Sequence, residues 1–146
     1  MRAGDSLRQL AIKAGAQEEL DTVDIEVFAH GTSSAFGLKI VETQGDCLSP
    51  TGGNWTGSFH TVSNVEVASV FANRTCSGKP NERPMVVGVA LPRAVAKNLR
   101  SQGLLCSPPI PNPPSGVSDV TPQFVFHRGA LDRLKQSGFF FVAKSG

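Results

Sequence analysis

Tyrosine is absent from the sequence, and charged side chains are few. The chain has 146 residues, of which 18% are Asp, Glu, Lys or Arg, and its formal net charge is +2. No run of lysine and arginine appears, whereas proteins that bind nucleic acid usually carry a strongly basic face. The charge therefore gives no support to a polyanionic partner.

Cysteines and long apolar runs are also scarce. The three cysteines, Cys47, Cys76 and Cys106, form no Cys-x-x-Cys pair, and their odd number excludes a complete set of internal disulfides. We therefore expect three reduced thiols and no metal site. No apolar run approaches the about 20 residues that span a bilayer, so we expect no membrane partner and interpret the short run 139–142 as a buried strand.

Glycine and proline are plentiful, and apolar residues recur at helical and strand spacing. The 15 glycines, 10 prolines and 40% hydrophobic residues are typical of one globular domain with many turns. We interpret residues 1–22 as an N-terminal helix or linker and residues 23–146 as the domain. The periodicity predicts helices over 5–20, 34–42, 64–73, 93–102 and 130–136, and strands over 23–28, 59–61, 85–91, 123–126 and 139–143.

The first candidate site residue is His30, where a predicted strand runs toward a helix. Gly31 follows it, and a glycine lets a ligand approach the backbone closely. Thr32 adds a hydroxyl that can donate or accept a hydrogen bond. This segment can hold a small polar molecule, but a histidine beside a glycine is also an ordinary feature of turns.

Two later segments carry the remaining candidates. Phe59 and His60 lie on a second predicted strand, where a ring can stack on a planar ligand; the alternative is a core Phe59 and an exposed His60. Gln123 begins a third strand, a position at which a glutamine is most often a surface residue. His127 has no partner in the pattern, and we interpret it as structural.

Taken in order, these segments resemble one known family. The chain reads His30-Gly31-Thr32-Ser33, then Gly57-Ser58-Phe59-His60-Thr61 before a helix with Val67, Ala68, Phe71 and Ala72, and finally Gln123-Phe124-Val125-Phe126. This order resembles the ADP-ribosyltransferase superfamily, on its diphtheria-toxin and poly(ADP-ribose) polymerase side. The resemblance extends over residues 23–143.

The resemblance implies an α+β fold, a split and mixed β-sandwich of two small sheets with flanking helices, which holds NAD⁺ in the cleft between the sheets. It implies that His30 bonds the ribose on the nicotinamide side and that the backbone of Gly31 holds the carboxamide. Thr32 or Ser33 is then expected near the adenosine half of the dinucleotide.

Two positions depart from the family pattern. His60 stands where members usually have the tyrosine that stacks on nicotinamide, with Phe59 beside it. Gln123 stands where many members have a glutamate, and it can accept a hydrogen bond but cannot act as a general base. Asp119 is a hypothetical substitute carboxylate. We take His30, His60 and Gln123 as the catalytic candidates.

The function that the resemblance implies is NAD⁺-dependent transfer of ADP-ribose by a toxin or effector domain to a macromolecule, with protein favoured over nucleic acid. The alternatives are an NAD⁺ glycohydrolase of the same fold, in which water is the acceptor, and a catalytically inactive nucleotide-binding module. No metal is expected. A cognate immunity protein is a further candidate partner. We expect the domain to act in the cytosol of the producing or target cell, delivered as part of a larger toxin.

Overall fold

The computed structural model describes residues 3–48, 58–110, 113, 115, 117 and 121–145. Within these residues helices and strands alternate along much of the chain. The helices are α1 Ala3–Lys13, α2 Ala16–Glu19, α3 Ser34–Glu42, α4 Val65–Cys76, α5 Arg93–Ser101 and α6 Leu131–Ser137. The strands are β1 Ile25–Ser33, β2 Phe59–Val62, β3 Pro84–Pro92, β4 Leu105–Cys106, β5 Gln123–Phe126 and β6 Phe139–Ser145.

The six strands form one sheet in the order β4-β5-β2-β1-β3-β6. Every neighbouring pair of strands is antiparallel, so the prediction of a mixed sheet is wrong while the α+β class is confirmed. The described strands form a single sheet in which β2 is hydrogen-bonded to β1, so the two small sheets that the resemblance implies are not seen in them. We refer to β4-β5-β2 and β1-β3-β6 as the two halves of this sheet.

The central joint between the two halves is narrow. In the described part of the chain β1 and β2 are in register at one pair of residues, Ala29 and Val62. On its other side β1 pairs with β3 along all nine of its residues. Val62 is the last residue of β2, so the rest of β2 lies on one side of this joint, where no further register pair with β1 is formed among the described residues.

A hydrophobic core lies on each face of the sheet. Side chains of β1 alternate between the two, since Phe28 lies in one core and Ala29 in the other. The Phe28 core is covered by α3, α5 and α6, and the Ala29 core by α1 and α4. Leu7 and Ala11 of α1 are buried in the Ala29 core, so this segment is a packed helix and not a linker.

Local capping explains where the helices begin and end. The Asn64 side chain accepts a hydrogen bond from the Val67 amide at 2.8 Å and begins α4. Ser33 does the same for Phe36 at 3.4 Å and begins α3. The helix predicted over 5–20 is interrupted at Gly15, whose φ of 96° is left-handed.

The described helices include none that is both long and apolar enough to cross a membrane.

Candidate functional site

A cavity of about 340 Å³ opens beside the narrow joint of the sheet. Its walls bring together His30 and Gly31 of β1, His60 of β2 and Gln123 of β5. These residues are up to 93 positions apart in the sequence, from 30 to 123, so their convergence is a product of the strand order. The volume is within the range of about 300–1,000 Å³ that is usual for small-molecule sites.

His30 is held from two sides. It lies in the interior of β1, not at the strand end that the sequence predicts, because β1 extends to Ser33. Its Nδ1 is 2.6 Å from the backbone oxygen of His60. Its ring packs on that of Phe59, with centroids 4.4 Å apart and planes inclined by 33°. The orientation of the imidazole is thus set by β2.

The protonation of His30 follows from these contacts. A carbonyl oxygen only accepts hydrogen bonds, so Nδ1 carries the hydrogen and donates it to His60. Burial is the main reason that the pKa of His30 falls from 6.5 to about 4; the hydrogen bond to the His60 carbonyl opposes this change, and the charge of His60 adds to it. At neutral pH the ring is uncharged, and Nε2 has a lone pair that can accept a hydrogen bond.

The alternation of β2 separates the roles of Phe59 and His60. Phe59 is 1% exposed and belongs to the Phe28 core, in line with the alternative of a core Phe59, and its ring packs on that of His30. Contact of Phe59 with a ligand stays a prediction. His60 is exposed and lines the cavity. The hydroxyl of Thr61 donates to the backbone oxygen of Phe124 at 2.9 Å, which ties β2 to β5 beneath the site.

Gln123 is buried at the edge of the same cavity. Its side chain belongs to a residue only 9% exposed, and Nε2 donates a hydrogen bond to the backbone oxygen of Pro109 at 2.8 Å. This bond fixes the amide and connects Pro109, in the proline-rich segment 107–116, to β5. The other end of the amide, Oε1, is an acceptor with no proton to give.

Gly31 is required by the packing of α4. A Cβ at this position would lie 2.0 Å from the backbone oxygen of Ala68 and 2.7 Å from the amide nitrogen of Ala72. The glycine therefore lets the helix approach the strand, and α4 forms one wall of the cavity as a result. The packing of α4 on Gly31 does not test the prediction that a ligand contacts the Gly31 backbone.

A second cavity of about 330 Å³ adjoins the first. The two share His30, Gly31 and Thr75 in their walls, and we refer to the two neighbouring cavities together as the groove. Thr32 and Ser33 line the second cavity and are mostly buried. The hydroxyl of Ser33 is already the cap of α3, which gives that residue a structural role whatever else it does.

Seven residues that line the first cavity lie outside the predicted site: Ala29, Thr61, Val62, Ala68, Phe71, Thr75 and Ile110. Phe71 is recognisable in the sequence as an inward apolar residue of a helix, but helical spacing indicates burial in a core equally well. Two predicted elements of the site, Gly57 and the hypothetical carboxylate Asp119, lie outside the described residues.

The described lining of the first cavity includes no carboxylate. It offers one imidazole acceptor, a second exposed imidazole, one aromatic ring and one amide oxygen, among apolar walls. Among the described residues no three His, Cys, Asp or Glu side chains are grouped as metal ligands. Such a set can orient a planar, hydroxyl-bearing organic molecule by hydrogen bonds and stacking.

Compared with models of known protein families, with curated proteins and with solved structures, the chain gives no significant match.

Proposed function

We propose that this protein is an NAD⁺-dependent ADP-ribosyltransferase, a toxin or effector domain that transfers ADP-ribose to a macromolecule, in first place a protein. The observation that carries the proposal is the convergence of His30, His60 and Gln123 on one cavity at the joint of the sheet. The position of this cavity supports the proposal further, because it lies beside the narrow pairing of β1 with β2 at Ala29 and Val62.

The nicotinamide end of NAD⁺ suits the first cavity. The rings of His60 and Phe71 both line it, and flat rings stack favourably on a pyridinium ring. His30 Nε2 can accept a hydrogen bond from a hydroxyl of the adjoining ribose. Because Nδ1 is engaged with the His60 carbonyl, the imidazole has one fixed direction in which to accept.

Cleavage breaks the bond between nicotinamide and C1′ of the ribose. Nicotinamide leaves with the bonding electron pair, which neutralises its ring, and positive charge develops on the ribose. Gln123 Oε1 can accept a hydrogen bond from the 2′-hydroxyl and so orient the sugar. An acceptor nucleophile then bonds to C1′ and loses its proton to solvent water. The site works mainly by positioning.

One observation favours a second candidate function, hydrolysis of NAD⁺ to nicotinamide and ADP-ribose. The described walls of the first cavity hold no carboxylate that would act as a general base on a protein nucleophile. Water, as a small acceptor at high concentration, depends less on such a base. A nucleotide-binding module without turnover is the third candidate, and it predicts binding without chemistry.

The test is to incubate the purified protein with NAD⁺ labelled in its adenosine part, with and without lysate. Label on protein in the lysate supports transfer, and free ADP-ribose without lysate supports hydrolysis. If NAD⁺ remains unconsumed under both conditions, the enzymatic proposals are refuted. The variant His30→Ala is the control, because any true turnover by this site requires the ring.

A further inference from the structure

The groove formed by the two cavities has an uneven distribution of charge. Its described walls contain two side chains that are charged at neutral pH, Lys79 and Glu82, and both lie at the second cavity. The remaining walls are apolar or carry hydroxyl, amide and imidazole groups. If a dinucleotide binds in the groove with its nicotinamide at His60, its adenosine half lies toward the second cavity and these two charged side chains.

Lys79 and Glu82 have exposed side chains on a hydrogen-bonded backbone. Their ion pair is long, 3.8 Å, and the side chains are 57% and 39% exposed, so the pair contributes little stability and is easily exchanged for a ligand. The loop itself is anchored: the Lys79 amide donates to the Cys76 oxygen at 3.0 Å, and the Glu82 amide to the Lys79 oxygen at 3.1 Å.

The far end of the loop is anchored as well. The Ser34 amide at the start of α3 donates to the backbone oxygen of Arg83 at 2.7 Å. Because Ser33 and Thr32 precede this point in the second cavity, Glu82 is held next to two hydroxyl-bearing residues. The carboxylate can thus face a ligand while its backbone stays in place.

We propose that Glu82 makes the groove select NAD⁺ over NADP⁺, with Lys79 binding the diphosphate; this inference rests on the proposed function. A carboxylate can accept a hydrogen bond from the 2′-hydroxyl of the adenosine ribose. In NADP⁺ a phosphate replaces the 2′-hydroxyl, and its negative charge would lie next to the negative carboxylate of Glu82. The two groups repel each other, so binding of NADP⁺ should be weaker.

The experiment compares ADP-ribose with 2′-phospho-ADP-ribose by calorimetric titration of the whole chain, together with turnover of NAD⁺ and NADP⁺. We expect the wild type to bind ADP-ribose at least about 10-fold more tightly. Glu82→Gln should lose most of this preference by gaining affinity for the 2′-phosphate. Lys79→Met should weaken the binding of both ligands by similar factors. Glu19→Gln and Lys97→Met, at exposed positions outside the groove, are the matched controls.

The outcomes separate this inference from the function on which it rests. Equal affinity of the wild type for both ligands, or an unchanged preference in Glu82→Gln, overturns the role of Glu82 while NAD⁺ turnover stands. Failure of the wild type to bind either ligand and to consume NAD⁺ refutes the proposed function together with the inference. Thermal melting of each variant tests whether it is folded. A change in ligand preference of a folded variant can then be attributed to the removed charge.

Discussion

The imidazole of His30 donates a hydrogen bond from Nδ1 to the backbone oxygen of His60, at 2.6 Å. This bond crosses the opening between the two halves of the sheet, close to the joint at Ala29 and Val62. It fixes the tautomer of the first histidine and the distance between the two strands that carry the site. This bond, together with the packing of the His30 ring on Phe59, positions the first histidine of the candidate site.

The first prediction concerns His30→Ala. Removal of the ring should lower NAD⁺ turnover by about 100-fold, because an oriented hydrogen bond to the reacting sugar is lost. It should also lower the free energy of unfolding by about 1–2 kcal/mol, since the bond to the His60 carbonyl and the contact with Phe59 disappear.

His127→Ala is the control for this prediction. His127 is exposed and does not line either cavity, so turnover and urea denaturation should match the wild type. Full turnover in His30→Ala, or an equal loss in His127→Ala, would contradict the role of His30.

The second prediction is a pH dependence of stability. The pKa of His30 is about 4 in the folded protein and 6.5 when unperturbed. As the pH falls from 6.5 toward 4, the unfolded chain takes up a proton that the folded chain resists, so stability is lost in this window and is complete above it. His30→Gln has no such group, whereas His60 and His127 are present in both proteins.

Urea denaturation at a series of pH values measures this difference. The wild type should lose more stability than His30→Gln between pH 6.5 and 4. Parallel curves for the two proteins would show that His30 titrates normally in the folded state. Turnover that depends on neutral His30 should, for the same reason, persist in mildly acidic buffer.

Much of the secondary structure was accessible from periodicity. The helix over 34–42 and the strand over 123–126 have the predicted bounds, because each has a clear apolar pattern and a definite start. The two-residue strand β4 was missed, since two residues carry no period. The break at Gly15 was missed too, because one glycine inside a helical pattern does not by itself terminate a helix.

Only part of the candidate site could be predicted from the sequence. His30, His60 and Gln123 were identified through the resemblance, and the strand order brings them together. The burial of Phe59 could not be decided from the sequence, because alternation along β2 tells which residues share a face but not which of them are covered by other elements. A glycine is needed at position 31 because α4 packs against it. This helix lies more than 30 positions later in the sequence, so no local sequence pattern predicts the contact.

The third prediction concerns Gly31→Ala. The added methyl group would lie 2.0 Å from the backbone oxygen of Ala68, which belongs to a helix and cannot rotate away. We expect a loss of about 1–3 kcal/mol in the free energy of unfolding and lower NAD⁺ turnover, because α4 also walls the cavity. Gly129→Ala is the control, since the nearest atom there is the end of the Leu104 side chain at 3.1 Å. A melting temperature of Gly31→Ala equal to that of the wild type would refute this packing.

The fourth prediction concerns the ring of Phe71. Phe71→Leu keeps an apolar side chain in the wall of the cavity but removes the flat surface. The KM for NAD⁺ should rise about 2- to 10-fold, and inhibition by free nicotinamide should weaken by a similar factor. Val70→Ala, a change at a half-buried residue of the same helix that does not line the cavity, should alter stability but not KM. An unchanged KM in Phe71→Leu would remove this ring from the site.

The last prediction concerns Gln123, whose amide has two proposed hydrogen-bonding roles. Its Nε2 holds the Pro109 carbonyl at 2.8 Å, and its Oε1 is the acceptor proposed for the ribose. Gln123→Ala removes both and should lower turnover by about 10- to 100-fold, whereas Gln136→Ala on the exposed side of α6 should not.

Gln123→Glu separates the two tasks. The carboxylate keeps an acceptor for the ribose but has no hydrogen to donate to Pro109, and it places a negative charge beside that carbonyl. If the acceptor is what matters, Gln123→Glu should retain more turnover than Gln123→Ala while its thermal stability falls. Equal turnover in the two variants, both far below the wild type, would assign Gln123 to holding the proline-rich segment and not to the sugar. Wild-type turnover in Gln123→Ala would remove it from the site altogether.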